Sequence, residues 1–406
     1  MFITTTLVLV GITVLSFAWL LIKAKTRNVK KTNLPSPPRH WLLGHILVFN
    51  SLDSRPMLAF HQLKRSLGSL FHLDMLKSQM VFVGGYPELK EILNGENCEC
   101  RKSTPIGQDL VYGMKNTGIL MNPSPDYKEL RRFSLKCLRD LGLGKHKSEA
   151  IILEESKCLN EEVKKRMKKN SGKFLQEDLE RLFAKSSLNI IWNFVSAERF
   201  EYDDKMAEKL LYFSDCFTKL GKEILGKPLG IFPFLKHIPP FRSKYQEVEN
   251  GFRELRQFIR TSISNHEDTL DINNPRDYID MFLIESKETK NPILTKDNLM
   301  AICLDLFIAG SETTSNVIII YFLATRYFKL YTFQSLLWDL AFMINHQDVQ
   351  DAVRDELDEA AGDSMITLRH KDDIPLTEAT INEVWRMGNV GGITPPRNIK
   401  VKTKRF

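Results

Sequence analysis

Residues 302–314 read Ile-Cys-Leu-Asp-Leu-Phe-Ile-Ala-Gly-Ser-Glu-Thr-Thr, an apolar stretch that ends in small residues, an acid and hydroxyl side chains. Glycine costs about 1 kcal/mol in a helix interior, and a threonine hydroxyl can bond back to the carbonyl four residues earlier and open the helical ladder. The pattern therefore predicts a buried helix with a local groove beside Thr313. A plain kink in a packed core helix is the alternative.

A second informative stretch is a predicted helix at 376–387, which carries Glu383 and Arg386. An acid and a base three residues apart meet on one face of a helix. Such a pair arises by chance about once in a chain of this length and ordinary composition, so its position counts for more than its presence. A further cation, Arg397, follows two prolines after this helix.

A third stretch is a basic helix predicted at 126–140, on which Tyr127 and Arg131 lie one turn apart. The arginine can make a charge-assisted hydrogen bond to a carboxylate, and the tyrosine hydroxyl can donate a second one. A solvated basic helix face is the alternative for this pattern.

Together these stretches resemble the cytochrome P450 family. Ala309 to Thr314 is similar to the oxygen-handling helix of that family, and Glu383 with Arg386 to its paired Glu and Arg. Tyr127 to Arg131 is similar to its Trp-x-x-x-Arg helix, with tyrosine in place of tryptophan. Further family-like stretches extend the resemblance over nearly the whole chain, at 189–192, 198–200 and 275–278. It is closest to the microsomal, drug- and hormone-metabolising branch of animals.

The resemblance implies a role for each motif residue around haem b. Ala309 and Gly310 are expected to leave room for dioxygen over the haem iron, and Glu312 and Thr313 to relay protons. Arg131, Tyr127 and Arg397 are expected to contact the haem propionates. Glu383 and Arg386 are expected to form a buried, structural ion pair.

The resemblance also implies a function. It predicts a haem-thiolate monooxygenase that inserts one oxygen atom from O2 into a small apolar organic substrate, with electrons from NADPH–cytochrome P450 reductase. The substrate is not specified by these residues. The competing interpretation is a non-enzymatic, membrane-anchored helical protein that binds a lipid or a partner.

The expected fold is mainly α with a small β region, an α+β arrangement of the P450 type. Two strands are predicted from short runs rich in apolar residues, at Leu70–Leu73 and Met80–Val83. Gly84-Gly85 marks the end of the second strand. Further helices are predicted at 149–170, 175–198, 203–220, 242–266 and 275–287. An apolar, proline-broken loop is predicted at 230–241, either packed on the core or touching a membrane.

The chain departs from the family pattern in its last part. In the family a haem-ligating cysteine follows the Glu-x-x-Arg helix, but this sequence has no cysteine after Cys303. Residues 41–406 are therefore expected to form a P450 catalytic domain truncated at its C-terminal end, without a metal ligand. A thiolate favours O–O cleavage, so residues 1–406 are expected to bind haem poorly and to be inactive.

A second departure is the segment 317–334, which fits nothing in the family. It begins with valine, whose codons start with GT, ends with glutamine, which CAG encodes, and is rich in Ile, Tyr, Phe, Leu and Lys. We interpret it as an aberrant insertion from a retained intron, a hypothesis that a spliced transcript still encoding it would refute. A second transmembrane helix is disfavoured because Arg326 and Lys329 would each cost about 2.5–3.5 kcal/mol.

The N-terminal end predicts the location of the protein. Residues 2–22 are uncharged and long enough to cross a hydrocarbon core of about 30 Å, whereas a cleaved signal would be shorter and preceded by positive charge. A basic and proline-rich linker follows at 23–40. This order predicts a single N-terminal transmembrane helix with the main body on the cytoplasmic side. The resemblance to the microsomal branch implies that the membrane is that of the endoplasmic reticulum.

The overall charge is basic, but its distribution does not favour a nucleic-acid partner. The formal net charge is +7 and the pI is about 8.9, but the cations are scattered in short clusters. No basic stripe interleaved with aromatic residues accompanies them. The six cysteines show no metal-ligand spacing and are expected to be reduced and buried.

Overall fold

The structure is a computed structural model of the chain. The structure describes residues 33–41, 44–45, 48, 56–75, 78–95, 100–102, 105–169, 176–219, 228–315, 346–362, 364–388 and 397–398. Side chains at 311–315 lie outside this description. Two compact units divide the chain, one formed by Met1–Glu99 with Ile399–Phe406 and the other by Cys100–Asn398.

The smaller unit contains the predicted strands. Its elements are α1 (Pro56–Leu67), β1 (Leu70–Met75), β2 (Ser78–Val83) and α2 (Tyr86–Asn94). The two strands pair antiparallel, from Leu70 opposite Val83 to Met75 opposite Ser78. One face of this hairpin is apolar, and Phe82 stacks on Phe60 with ring centroids 3.8 Å apart. Burial of that face is what holds the hairpin together, because an isolated pair of strands is marginal in water.

The larger unit is mainly helical. Its elements are β3 (Cys100–Arg101), α3 (Pro105–Val111), α4 (Tyr127–Asp140), α5 (His146–Lys169), α6 (Gln176–Ser196), α7 (Lys205–Lys219), α8 (Pro228–Ile231), a 3-10 helix (Pro233–His237), α9 (Phe241–Asp268), α10 (Tyr278–Thr289), α11 (Lys296–Ser315), α12 (Gln347–Ala361), a second 3-10 helix (Leu368–Asp373), α13 (Pro375–Gly388) and β4 (Arg397–Asn398). The mainly α architecture with small antiparallel sheets confirms the predicted fold class.

Helix α11 runs through the core of the larger unit. Residues Leu299–Leu304 are all buried, and six consecutive residues cover every side of a helix. The Phe307 ring meets the Trp192 ring of α6 edge to face, with centroids 5.8 Å apart. A helix that is apolar on all sides is a core helix, which is what the apolar run at 302–308 predicted.

The proline-broken segment at 230–241 differs from its prediction. We expected a loop, but the described residues form two short helical pieces, α8 and the 3-10 helix at Pro233–His237. Proline is compatible with the first turn of a helix, where its missing N–H would have no partner in any case. The prolines therefore start these turns instead of preventing them.

Among the described residues, no helix is long and apolar enough to cross a membrane. The predicted anchor at 2–22, most of the linker at 23–40 and the segment 317–334 lie outside the described residues. Residues 35–39 are described and are not helical, in agreement with their prolines, and the Pro35 carbonyl accepts a hydrogen bond from the His72 amide at 2.8 Å.

Candidate functional site

The motif Ala309 to Thr314 lies at the C-terminal end of α11, whose backbone is α-helical as far as Ser315. Ala309 is exposed and Gly310 is buried. A Cβ atom on Gly310 would lie 2.6 Å from the side chain of Ile191, so the glycine permits close approach of α6. The structure thus gives Gly310 a packing role and leaves Ala309 on the open side. The Glu312 and Thr313 side chains lie outside the described residues.

Asp305 lies one helical turn before Ala309, and none of the sequence motifs predicted a role for it. Its side chain is only 4% exposed. It accepts hydrogen bonds from the Tyr112 hydroxyl at 2.6 Å and from the amides of Ile119 at 2.7 Å and Leu120 at 2.9 Å. Burial raises the pKa of Asp305 to about 6, against the lowering effect of these three donors. A lone acid inside the apolar run 302–308 was the available signal.

Two of the three donors to Asp305, the amides of Ile119 and Leu120, belong to one loop, 113–122, which lies against α11. The third, the Tyr112 hydroxyl, belongs to the residue just before this loop. Gly118 in this loop has a φ of 73°, and a Cβ there would lie 2.7 Å from the Asp305 carboxylate. The Gly118 amide donates to the Asn298 side chain at 3.2 Å, and Gln108 donates to the Met121 carbonyl at 2.9 Å. The loop is therefore fixed beside α11, one turn from the oxygen-site motif.

Two arginines that are remote in sequence meet in the small sheet of the larger unit. β3 and β4 pair antiparallel, with Arg101 directly opposite Arg397, and both side chains are half-buried. The Arg101 guanidinium also lies over the Tyr127 ring, 5.5 Å from its centroid. Like charges directly opposite on paired strands repel, and an anion bound between them would offset that repulsion. The pairing brings predicted Arg397 and Tyr127 together and adds Arg101, which no local pattern identified.

This arrangement fits the acidic end of a haem. Haem b carries two propionates, and paired guanidinium groups are the donors that suit carboxylates best. Tyr127 is buried at the start of α4, and Arg131 lies one turn further along the same helix but is exposed. Both line an open groove of about 240 Å³, whose other lining residues are Lys128, Arg132, Leu135 and Arg139.

Glu383 and Arg386 form the predicted pair on α13, with Arg386 Nε and Nη2 at 2.7 and 2.5 Å from the carboxylate. The expectation of burial is wrong for this structure, because the two side chains are 60% and 65% exposed. The physical reason is their position on α13, whose described buried side chains are those of Thr377 and Val384, not those of the pair. The Arg386 hydrogen bond lowers the pKa of Glu383.

Three cysteines have side chains that the structure describes. Cys137 and Cys303 are buried, and Cys158 is partly buried. Burial raises the pKa of Cys137 to about 12 and also raises the pKa values of Cys158 and Cys303. A thiolate is the form that binds metals. Arg101 and Arg397 fit the propionate end of a haem, whereas the three described thiols lie in surroundings that disfavour the thiolate.

Comparison with known proteins identifies the family of the chain. A sequence model of the cytochrome P450 family matches residues 34–326 and 332–404, and its interruption falls within the segment 317–334. Cytochrome P450 2J5 of Mus musculus is 30% identical over 398 residues, covering 96% of this chain and 73% of the relative. Cytochrome P450 2J1 of Oryctolagus cuniculus is 31% identical, covering 98% of this chain and 74% of the relative. Cytochrome P450 2C28 of Mesocricetus auratus is 33% identical, covering 88% and 68%. The chain therefore belongs to the cytochrome P450 family, whose members are haem-dependent monooxygenases.

Proposed function

We propose that this protein is, by family, a haem-thiolate monooxygenase, an enzyme that inserts one oxygen atom from O2 into a small apolar organic substrate, and that residues 1–406 by themselves are inactive. The observation that carries the proposal is the Arg101 and Arg397 pair beside Tyr127, which provides a propionate site in the same unit as α11. Haem, when bound, supplies the oxygen chemistry, and the protein supplies position, protons and exclusion of water.

The residues around this site take distinct roles in the proposal. Arg101 and Arg397 hold the propionates through charge-assisted hydrogen bonds, with Arg131 completing the cationic set from α4. Tyr127 supports the Arg101 guanidinium through a cation–π contact, worth about 0.5–1 kcal/mol at partly exposed sites. Exposed Ala309 leaves space on α11 for a small ligand.

The protons and the substrate wall come from other parts of α11 and its neighbours. Glu312 and Thr313 relay protons from the end of the helix towards the reacting oxygen. The loop 113–122, held by Asp305, forms a wall of the substrate space, and Ile119 and Met121 pack with the apolar core there. An apolar wall selects an apolar substrate. The exposed Glu383 and Arg386 pair braces α13.

An acidic redox partner fits the exposed face of α4. This face carries several cations around exposed Leu135: Lys128, Arg132, Lys136 and Arg139. Clustered charge of one sign steers an oppositely charged partner and speeds its encounter. We assign this face to NADPH–cytochrome P450 reductase, which supplies the electrons.

The endoplasmic reticulum membrane is the proposed location, with the catalytic domain on its cytoplasmic side. The anchor at 2–22 and the linker at 23–40 attach the domain at 41–406. A second contact is provided by the short helices at 228–237 and the residues after them, where Phe234 is 60% and Ile238 45% exposed. Lys236 and Arg242 lie beside these apolar side chains, as expected for a segment that meets a lipid surface.

A reduced CO-difference spectrum of residues 1–406 supplied with haem tests the proposal. We expect weak haem uptake and no Soret band of thiolate-ligated haem, because the iron-ligating cysteine of the family follows the Glu-x-x-Arg helix and residues 1–406 have no cysteine after Cys303. Failure to take up any haem would contradict the proposed site. A thiolate-type band would instead contradict the proposal that residues 1–406 lack a usable sulfur ligand and are inactive. The segment 317–334 remains, in this proposal, an aberrant insertion.

A further inference from the structure

Helix α3 ends at Val111 with carbonyl groups that its own backbone does not satisfy. The amides of Tyr112 and Gly113 still bond back into the helix, at 2.9 and 3.1 Å. Gly113 then turns the chain away with a φ of 69°. The carbonyls of Leu110 and Val111 therefore receive no amide from a continuing helix and need another donor.

Arg256 of α9 is that donor. Its Nη1 donates to the Leu110 carbonyl at 2.6 Å and to the Val111 carbonyl at 3.1 Å. The residue is 7% exposed, and its nearest carboxylate, Glu249, is a loose 3.7 Å from Nη2. Burial lowers the pKa of Arg256, so the buried position works against the charge. An apolar side chain would fill this space at lower cost, and the guanidinium is explained by the two carbonyls it serves.

The segment formed by residues 110–122 is also bonded, on its other side, to the buried carboxylate of Asp305. Residues 110–122 lie between the Arg256 guanidinium on α9 and the Asp305 carboxylate on α11. Tyr112 connects the two ends, because its hydroxyl donates to Asp305 and accepts the Met121 amide at 3.3 Å. The segment is thus fastened to two long helices through side chains that water does not reach.

We propose that Arg256 is a positioning residue that makes α9 and the segment 110–122 move as one body. The apolar stretch 228–240 leads directly into α9, and the segment 110–122 lies one turn from Ala309. A displacement of α9 is therefore passed to the wall of the oxygen site. The use of this coupling in substrate admission rests on the proposed function, whereas the coupling itself is a property of the fold.

Hydrogen exchange of backbone amides in the full chain tests this coupling without haem. In Arg256→Gln we expect amides at 112–122 to exchange about tenfold faster, because loss of bonds from a charged donor to two carbonyls makes local opening more frequent. Arg253→Gln is the matched control: it lies on the same helix, is exposed, and contacts Glu249 at 3.6 Å but no α3 carbonyl. This control is expected to exchange as the parent does.

Two further measurements separate coupling from general destabilisation. Arg256→Lys should restore part of the protection, since an ammonium group reaches one carbonyl but not both. Amides at 188–195 in α6 report global opening and should be unchanged in all variants. Unchanged exchange at 112–122 in Arg256→Gln would overturn the proposal, and so would an equal acceleration in α6. Neither outcome depends on whether the protein carries haem.

Discussion

At the scale of single residues, Asp305 is an ionisable group inside an otherwise apolar part of α11, and three hydrogen-bond donors contact its carboxylate. Both amides of the 119–120 step point at one carboxylate oxygen, and the Tyr112 hydroxyl points at the other. These three bonds offset part of the cost of burying the charge, but the pKa is still raised to about 6. Ionisation of Asp305 therefore lowers the free energy of unfolding of the protein.

The pH dependence of stability follows from that raised pKa. A carboxyl whose folded pKa exceeds its ordinary value of 3.8 binds its proton more tightly in the folded state, so its favourable contribution is present at low pH. That contribution, about 3 kcal/mol, is lost as the pH rises from about 4 to about 6. Asp305→Asn should remove this loss, because the amide is neutral and its oxygen still accepts both backbone donors.

Urea unfolding followed by tryptophan fluorescence between pH 4 and 7 measures this effect. Asp297→Asn is the control, since Asp297 lies exposed in the first turn of the same helix. The control should keep the slope of the parent between about pH 4 and 6, and Asp305→Asn should flatten it. A parental slope in Asp305→Asn would mean that Asp305 is not the titrating group.

At the scale of secondary-structure elements, the packing of α11 on α6 depends on Gly310. A Cβ at this position would lie 2.6, 2.8 and 2.9 Å from three side-chain atoms of Ile191. Overpacking of a core in this way costs about 1–3 kcal/mol, which exceeds or cancels the helix propensity of about 1 kcal/mol that alanine gains over glycine. The sign of the effect therefore depends on the residue at 191.

We predict that Gly310→Ala destabilises the parent and stabilises an Ile191→Ala background. In the parent the free energy of unfolding should fall by about 1–2 kcal/mol, and in the background without the isoleucine it should rise by up to about 1 kcal/mol. A double-mutant cycle in urea measures both values. Equal effects of Gly310→Ala in the two backgrounds would show that the close approach of these helices is not what requires glycine.

Helices were the elements that local patterns predicted best. The apolar periodicity at 126–140, 149–170 and 242–266 matches α4, α5 and α9, because burying one face of a long helix leaves a regular signal. The segment 230–241 was expected to be a loop, since its prolines hide turns that begin with proline. The exposure of Glu383 and Arg386 was also not predictable, because spacing specifies a shared helix face but not what covers it.

At the scale of the whole molecule, the candidate site is assembled from parts of the chain that are far apart in sequence. Predicted Tyr127 and Arg397 were found from motifs, and the structure brings them to Arg101 through pairing of β3 with β4. Arg101 and Asp305 act only through tertiary neighbours, so no local spacing identifies their partners. The family match over 34–326 and 332–404 supports the proposal that these cations bind the haem propionates.

Titration of the purified chain with haemin tests most directly whether Arg101 and Arg397 form the propionate end of that site. The double variant Arg101→Gln/Arg397→Gln should bind haemin about tenfold more weakly than the parent, because charge-assisted bonds to the propionates are lost. Arg253→Gln/Arg260→Gln removes two charges from exposed positions on α9 and should bind as the parent does. Equal affinity of the parent and the Arg101/Arg397 variant would contradict the account.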